Sequence, residues 1–271
     1  MQNKQETIRV LSIGIAAVLK SIEEFEADAT KSNIGAGKRN DGKKFEDLIS
    51  ELWSLVKCFC EQQGAESLIT RNGCKNHVKL TVGKRSLYIP IYGKHAYNVK
   101  EINKTLDISF LVEDIINSLK TEKSIIEDYA PKEGCYAGTA YPKMYKGIHT
   151  KFDDTLVLEE NNEFQKKILL EYKTAKSSKG KRMDGNAHER LTHQMIQYAK
   201  IVKADYYSKC YLVVITNGAY QRYRNKYHVS FNMDAELLEQ AIPGFSCKFL
   251  YAYSEYTKFL VSLLMWLFAC E

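Results

Sequence analysis

Several features that restrict a protein's class are scarce or missing in this chain of 271 residues. Only four residues are proline and 45% are hydrophobic, which excludes a Pro-rich or disordered chain. Neither an internal repeat nor a low-complexity tract is visible. We therefore expect one domain over residues 1–271, with residues 1–40 as a helical N-terminal extension.

Metal-binding cysteine pairs, signal peptides and membrane spans are also absent from the pattern. The seven cysteines include no C-x-x-C pair, and we interpret them as reduced thiols of a cytoplasmic protein. The apolar run 10–19 follows Glu6 and Arg9 and precedes no clear cleavage site, so no signal peptide is expected. The run 259–268 is too short to cross a bilayer and predicts a buried helix, not a membrane contact.

The charge balance is weakly basic, with a formal net charge of +6. An excess of this size is common in soluble proteins and does not identify a partner. Its distribution is more informative, because five cations lie within ten residues: Lys173, Lys176, Lys179, Lys181 and Arg182. A polyanion would be attracted to this segment.

Hydrophobic periodicity predicts most of the secondary structure. Apolar residues at helical spacing predict helices over 6–29, from 42 to about 56, and over 106–120, 187–202, 234–241 and 254–269. Residues 32–41 and 130–149 are expected to be irregular. Alternation over 66–92 predicts a hairpin with its turn at 71–73 and an edge strand at 87–91.

The central part of the chain predicts a second hairpin followed by a buried strand. Residues 155–159 and 167–172 are the expected strands, joined by a turn at 160–163. The β-branched run 210–216 predicts a strand buried on both faces, and 223–231 and a short strand near Phe249 would extend the sheet. The expected fold class is α/β, a mixed β-sheet flanked by helices, with 150–217 as its functional core.

Two carboxylates and a lysine fall at the ends of the central strands. Glu171 and Lys173 share one face of their strand while Tyr172 points into the core, and pairing through the tight turn can bring Asp153 beside Glu171. Such a set suits Mg²⁺, which binds carboxylate, water and phosphate oxygens. The ion would activate water for phosphodiester hydrolysis, and the ammonium of Lys173 would orient it or stabilise the transition state.

Other readings of these charges stay open. Charged residues are abundant at strand ends, so the set could be coincidental. Asp154 is the second choice for the first acid, after Asp153. Glu46, on an early predicted helix, could be a further acid or an exposed residue beside an apolar stripe.

The segment that follows reads Gly185-Asn186-Ala187-His188-Glu189-Arg190 and begins the next predicted helix. Asparagine bonds adenine through N6 and N7, and arginine presents a fork to purine acceptors, so this pair suits the major groove of DNA. An equally good interpretation is a helix N-terminus, with Asn186 as the N-cap and Glu189 completing a capping-box-like pair.

With its strand, turn, apolar strand, Glu171-x-Lys173 and basic loop, the segment 150–200 resembles the PD-(D/E)XK nuclease core. Its G-N-A-x-E-R motif resembles that of the EcoRI and MunI group of type II restriction endonucleases, which read a central AATT. The resemblance implies a PD-(D/E)XK restriction-endonuclease-like fold, Asp153, Glu171 and Lys173 as catalytic residues, and Asp153, Glu171 and Tyr172 as the Mg²⁺-binding set. It further implies DNA contacts by Gly185, Asn186, Ala187, Glu189 and Arg190.

The resemblance also has departures and alternatives. Phe152 stands where that family often has proline, the segment 173–185 is shorter than in EcoRI, and His188 is not the expected apolar residue. Cutting both strands of a palindrome implies a homodimer on double-stranded DNA, with the helix from Ala187 as its interface. The alternatives are a structure-specific repair or junction-resolving nuclease, and a DNA-binding protein with an inactive core. A methyltransferase is disfavoured, because no Gly-rich cofactor loop follows an early strand.

Overall fold

A computed structural model describes residues 2–25, 36–72, 75–90, 152–174, 186–203, 210–218 and 229–269. Within these ranges it contains five helices and seven strands. The helices are α1 (Gln2–Glu24), α2 (Ala36–Gln63), α3 (Asn186–Lys203), α4 (Val229–Ala241) and α5 (Tyr253–Phe268). The strands are β1 (Glu66–Asn72), β2 (Lys75–Val82), β3 (Arg85–Pro90), β4 (Asp154–Glu160), β5 (Glu163–Lys173), β6 (Cys210–Thr216) and β7 (Cys247–Leu250). The predictions for 106–120 and 130–149 lie outside the described residues.

The strands form one sheet in chain order, β1-β2-β3-β4-β5-β6-β7. Neighbours from β1 to β5 are antiparallel, whereas β5, β6 and β7 are parallel to one another. The change of direction occurs after β5. Because β5 and β6 are parallel, the chain must cross back between them, and this crossover contains α3. The α/β class and the mixed sheet flanked by helices are therefore confirmed.

Helices cover both faces of the sheet. On one face α1, α2 and α5 bury their apolar stripes against residues such as Leu156, Leu170 and Val213. On the other face α3 and α4 pack against Leu169, Leu212 and Val214. Alternate residues of β5 and β6 thus enter different cores, as the period-2 geometry of a strand requires, and β6 is buried on both faces as predicted.

The N-terminal helices carry the predicted buried stripes, but α2 begins earlier than expected. Leu11, Ile15 and Leu19 of α1 belong to the same core as the sheet. Residues 36–41, predicted as loop, form the first turns of α2. The helix continues through Gly37 because its later turns are fixed by packing, which outweighs the ~1 kcal/mol that glycine costs in a helix.

The predicted edge strand is wrong: β3 is internal, between β2 and β4, and the edges of the described sheet are β1 and β7. Proline indicated an edge because it has no N–H to donate. Pro90 is tolerated because the β3–β4 pairing ends at Tyr88, so the proline lies beyond it and pairs only with His77 of β2. The alternating strands and the hairpin are confirmed over the described residues 66–72 and 75–90, but Arg71 and Asn72, predicted in the turn, are the end of β1 and pair with Asn76 and Lys75.

The β4–β5 hairpin is confirmed with a two-residue turn. Asn161 and Asn162 have φ of 54° and 61°, the left-handed conformation of a type I′ turn, which matches the twist of the two strands. Helix α3 and strand β6 follow as predicted. Residues 229–231, predicted to extend the sheet, are the start of α4 instead. The buried residues Phe231 and Ala235 lie four positions apart, which is the spacing of one face of a helix.

The run 259–268 forms the buried part of α5, as predicted, with Leu260, Leu263 and Leu267 among its core residues. Among the described residues, no helix has both the length and the apolar character needed to cross a membrane.

Candidate functional site

The hairpin brings Asp153 and Glu171 together at the end opposite its turn. Asp154 pairs with Leu170, so the residue before Asp154 lies beside the residue after Leu170. A hydrogen bond and an electrostatic effect agree with this placement. The backbone N–H of Tyr172 donates to Asp153 Oδ2 at 2.8 Å. The Asp153 and Glu171 carboxylates are close enough to repel each other. The predicted pairing of these two acids is present in the structure.

The carboxylate of Glu171 is enclosed, with 5% of its side chain exposed. Lys173 Nζ donates to Glu171 Oε1, and Gln194 Nε2 of α3 donates to Oε2 at 3.3 Å. Burial raises the pKa of Glu171 to about 7, and the neighbouring Asp153 charge adds to the increase, while Lys173 opposes it. A carboxyl group poised near neutrality in a cluster of charges is typical of functional sites.

The structure separates the two candidate first acids. Asp154 is 2% exposed, and its Oδ2 accepts a hydrogen bond of 2.9 Å from the Tyr172 hydroxyl in the core formed with α1, α2 and α5. Asp153, the preceding residue, is half-buried and lies on the same face of the sheet as Glu171. Only Asp153 is placed to share an ion with Glu171. The side chain of Tyr172 points into the core as predicted, so a role in the metal-binding set could involve only its backbone.

The donor set fits a hard divalent cation held partly by the protein. Asp153 and Glu171 supply carboxylate oxygens, and Mg²⁺ usually binds through one or two carboxylates with water and phosphate filling the remaining positions. Within the described ranges, no group of three or more His, Cys, Asp or Glu side chains could hold a metal ion. A cation would also relieve the repulsion that raises the Glu171 pKa.

No protein-family model, curated protein or solved structure matches the chain. The interpretation of the site therefore depends on its own residues and their geometry.

The predicted reading element begins α3. The helix starts at Asn186, which agrees with a helix N-terminus, and Glu189 lies in its first turn. Glu189 and Arg190 are exposed and adjacent to the segment that leads from Lys173 into the helix. Gly185 and the basic residues 176–182 lie outside the described residues, as do the side chains of Asn186, Ala187 and His188.

Two further predictions concern residues away from this pair. Glu46 is exposed on α2, a helix that packs against the face of the sheet opposite to Glu171. Met195 and Ala199 of α3 are buried in the core, whereas Ile196 is 40% exposed. The predicted interface helix therefore directs Met195 and Ala199 into the core and leaves Ile196 on its surface.

Gln194 is the site residue that sequence reasoning missed. It lies beside the buried stripe of α3, which comprises Leu191, Met195 and Tyr198. The sequence did contain a signal for this residue, because Gln194 is a polar side chain that flanks the apolar stripe of the helix following Glu171-x-Lys173. Its contact with Glu171 joins α3 to the carboxylate pair, so the candidate reading helix and the candidate metal site form one unit.

Proposed function

We propose that this protein is a Mg²⁺-dependent, sequence-specific endonuclease of the type II restriction class, built on a PD-(D/E)XK-like core. The observation that carries the proposal is the carboxylate pair Asp153 and Glu171 with Lys173 in contact, at the strand end next to α3. The substrate class is double-stranded DNA, which the weakly basic charge and the exposed Arg190 favour.

Each residue has a chemical role in this proposal. Asp153 and Glu171 would hold Mg²⁺, and Gln194 and Lys173 fix the orientation of the Glu171 carboxylate. When bound, the ion would supply an acidified water and neutralise charge at the scissile phosphate. The Lys173 ammonium would lie beside that phosphate, where negative charge develops in the transition state.

Sequence reading is assigned to the start of α3. Asn186 and Arg190, one helical turn apart, would bond purine edges in the major groove at a central AATT. The contact between Gln194 and Glu171 supports this assignment, because it couples the position of α3 to the metal site. A structure-specific repair or junction-resolving nuclease would use the carboxylate pair Asp153 and Glu171 without reading bases. A DNA-binding protein with an inactive core would not need that carboxylate pair.

The exposed surface of α3 and α4 favours a homodimer. The helices contact each other through Thr192 and Asp234, and apolar residues lie exposed along this pair: Ile196 (40%), Met233 (57%) and Leu237 (61%). Exposed residues of α3 beside them are mostly basic, including Lys200 and Lys203, whereas α4 exposes Glu236. A two-fold axis would place the basic side of one copy against the acidic side of the other.

The first test is cleavage of a plasmid of known sequence with Mg²⁺ and with EDTA, followed by mapping of the fragment ends. Discrete Mg²⁺-dependent ends at AATT-containing sites are expected. Cuts without sequence preference would retain the metal site and refute the base readout. DNA binding without cutting under any divalent cation would favour the inactive alternative.

The dimer is tested separately by sedimentation of the wild type and of Leu237→Lys. The wild type is expected to sediment as a dimer and the variant as a monomer, because a charge would be placed in the apolar centre of the interface. Leu68→Lys, on the exposed edge strand β1, is the matched control and should leave the dimer intact. A monomeric wild type would overturn the assignment of the interface.

A further inference from the structure

Tyr172 holds both aspartates that begin β4. Its backbone N–H donates to Asp153 Oδ2 at 2.8 Å, and its hydroxyl donates to Asp154 Oδ2 at 2.9 Å. Successive side chains of an extended strand point to opposite faces, so the two carboxylates lie on opposite sides of the sheet. We call Asp153, Asp154 and Tyr172 the strand clamp.

The strand clamp lies where the β4–β5 pairing ends. Asp154 and Leu170 form the last residue pair, and beyond it the Tyr172 N–H bonds a side chain, the Asp153 carboxylate. The orientation of Asp153 is therefore fixed only if the end of β4 stays in place on β5. The bond between Asp154 and the Tyr172 hydroxyl acts at that position, on the buried side of the sheet.

The buried half of the strand clamp is not explained by core packing. Asp154 and Leu156 alternate with half-buried positions along β4 and are 2% and 0% exposed, so position 154 lies on the buried, mostly apolar face of the strand. Burying a carboxylate costs free energy unless it is hydrogen-bonded, and apolar replacement of such buried polar pairs is often stabilising. A carboxylate kept there points to a role beyond stability.

We propose that Asp154 and the Tyr172 hydroxyl are positioning residues, which fix the end of β4 on β5 so that the Asp153 carboxylate is held towards Glu171. The purpose of this positioning, a metal site, rests on the proposed function; the contacts of the strand clamp do not. Neither residue needs to touch the ion or the DNA.

The proposal distinguishes three variants. Tyr172→Phe keeps the ring and the backbone and removes only the hydroxyl, and Asp154→Ala removes its acceptor. Asp154→Asn retains an oxygen acceptor for the hydroxyl and should preserve most of the function. Tyr256→Phe is the matched control, because it also deletes a buried hydroxyl, one that donates to the carbonyl of Thr216 on β6 and to no residue of the strand clamp.

Amide hydrogen exchange measures the strand clamp without metal or DNA. In Tyr172→Phe and Asp154→Ala, the ratio of the exchange rate of the residue 172 amide to that of the Val213 amide should rise at least about tenfold. The reason is that the hydrogen bond from the residue 172 N–H to the Asp153 carboxylate is no longer maintained. A purely structural defect would accelerate the protected amides of the sheet together. Tyr256→Phe and Asp154→Asn should leave the ratio near that of the wild type.

The second measurement is the affinity for Mn²⁺, used as a spectroscopic probe, together with the Mg²⁺ concentration at half-maximal cleavage. Loss of a residue that orients a metal ligand typically weakens metal binding by about 10–100-fold. Tyr172→Phe and Asp154→Ala should show such a shift, with cleavage restored at high Mg²⁺. A lower folded fraction would instead reduce cleavage at every Mg²⁺ concentration.

The two proposals fail in different ways. If the exchange ratio at residue 172 is unchanged in both variants, the strand clamp is refuted, whether or not the wild type cuts DNA. If the ratio changes but the wild type neither binds Mn²⁺ nor cuts DNA, positioning of Asp153 stands and the nuclease function falls. If the ratio changes and the metal affinity does not, Asp154 and Tyr172 do not serve the metal site.

Discussion

The two ends of the β4–β5 hairpin carry acidic side chains in different electrostatic surroundings. At the turn end, Glu159 Oε2 accepts from Lys79 at 3.2 Å and from the Tyr88 hydroxyl at 2.8 Å. Glu160 is bonded to Arg85 Nε at 2.8 Å. Glu159 and Glu160 therefore each have a cation of their own.

At the open end the acids face each other. Asp153 is held by a backbone N–H, and Glu171 shares its surroundings with both Asp153 and Lys173. The charges of Glu159 and Glu160 are neutralised within the fold, whereas the open end keeps a repulsion that a divalent cation would relieve. Under the proposed function, the turn end serves stability and the open end serves binding of the ion.

The largest expected effect is on cleavage by Asp153→Asn. Removing one charged ligand should reduce the cleavage rate by about 10³-fold or more, because a bound ion contributes several kcal/mol to the stability of the transition state. Glu159→Gln, two strand turns away on the same face, is the control and should keep the rate within about threefold of the wild type. Equal losses in the two variants would contradict the division of roles.

A substitution at the turn end should change the stability of the protein. Arg85 donates to Glu160 and also, through Nη1, to the carbonyls of Trp266 and Ala269 at the end of α5, each at 3.0 Å. Arg85→Ala should lower the free energy of unfolding by about 2 kcal/mol, since charge-assisted bonds at a helix C-terminus are lost.

Denaturant unfolding checks this value, with Arg85→Lys as an intermediate case because an ammonium lacks the planar fork whose Nε and Nη1 reach Glu160 and the α5 carbonyls separately. Mg²⁺-dependent cleavage by the folded variant should match the wild type. A loss of cleavage without a loss of stability would show that the two ends are not independent.

Glu171→Gln should have the opposite effect on stability. The folded pKa of about 7 lies above the ordinary value of 4.5, so ionisation of Glu171 opposes folding, and stability falls as the pH rises from about 4.5 to 7. In EDTA, the variant should be more stable than the wild type by about 1–2 kcal/mol at pH 8. The lost contact with Lys173 offsets part of the gain.

At pH 4, Glu171 is largely neutral in both the folded and the unfolded chain, so the two proteins should then unfold at similar denaturant concentrations. Denaturation at the two pH values makes this comparison. A variant that is less stable at pH 8 would show that Glu171 is a structural ion-pair residue like those at the turn end.

The smallest expected effect concerns Lys166, between the two ends. Burial lowers its pKa to about 8, and its Nζ lies 5.8 Å from the centre of the Tyr211 ring. The penalty for its charge is complete below pH 8 and disappears towards pH 10.5. Lys166→Met should raise the free energy of unfolding at pH 7 by less than about 1 kcal/mol, after allowance for solvent screening. Thermal unfolding at pH 7 and pH 10 should show the gain only at the lower pH.

The sequence predicted the parts of the fold that depend on local periodicity. Strands β4, β5 and β6 and helices α1, α3 and α5 follow from alternation or helical spacing, and the turn at 160–163 follows from its polar residues. The facing of Asp153 and Glu171 was also predictable, because a tight hairpin and the period of a strand fix which residues are opposite.

The remainder depends on contacts between elements that are distant in sequence. Whether β3 is an edge strand depends on how far β4 pairs with it, about 70 residues later. The contacts of Gln194 with Glu171 and of Asp154 with the Tyr172 hydroxyl depend on side-chain direction and packing, which periodicity does not encode. The site could therefore be located from the sequence, but not its supporting residues.

The packing of α1 also has a consequence for synthesis of the chain. Ile15 and Leu19 line a space with Leu260 and Leu264 of α5, and the carbonyl of Glu23 accepts from the backbone of Gly218, where an added Cβ would approach that oxygen to 2.5 Å. These partners follow α1 by about 200 residues or more, so a ribosome adding 5–20 residues per second completes them roughly ten seconds or more after α1 has emerged. Before α5 is made, α2 is the main partner of α1 among the described elements, so part of the apolar stripe of α1 stays exposed on the nascent chain.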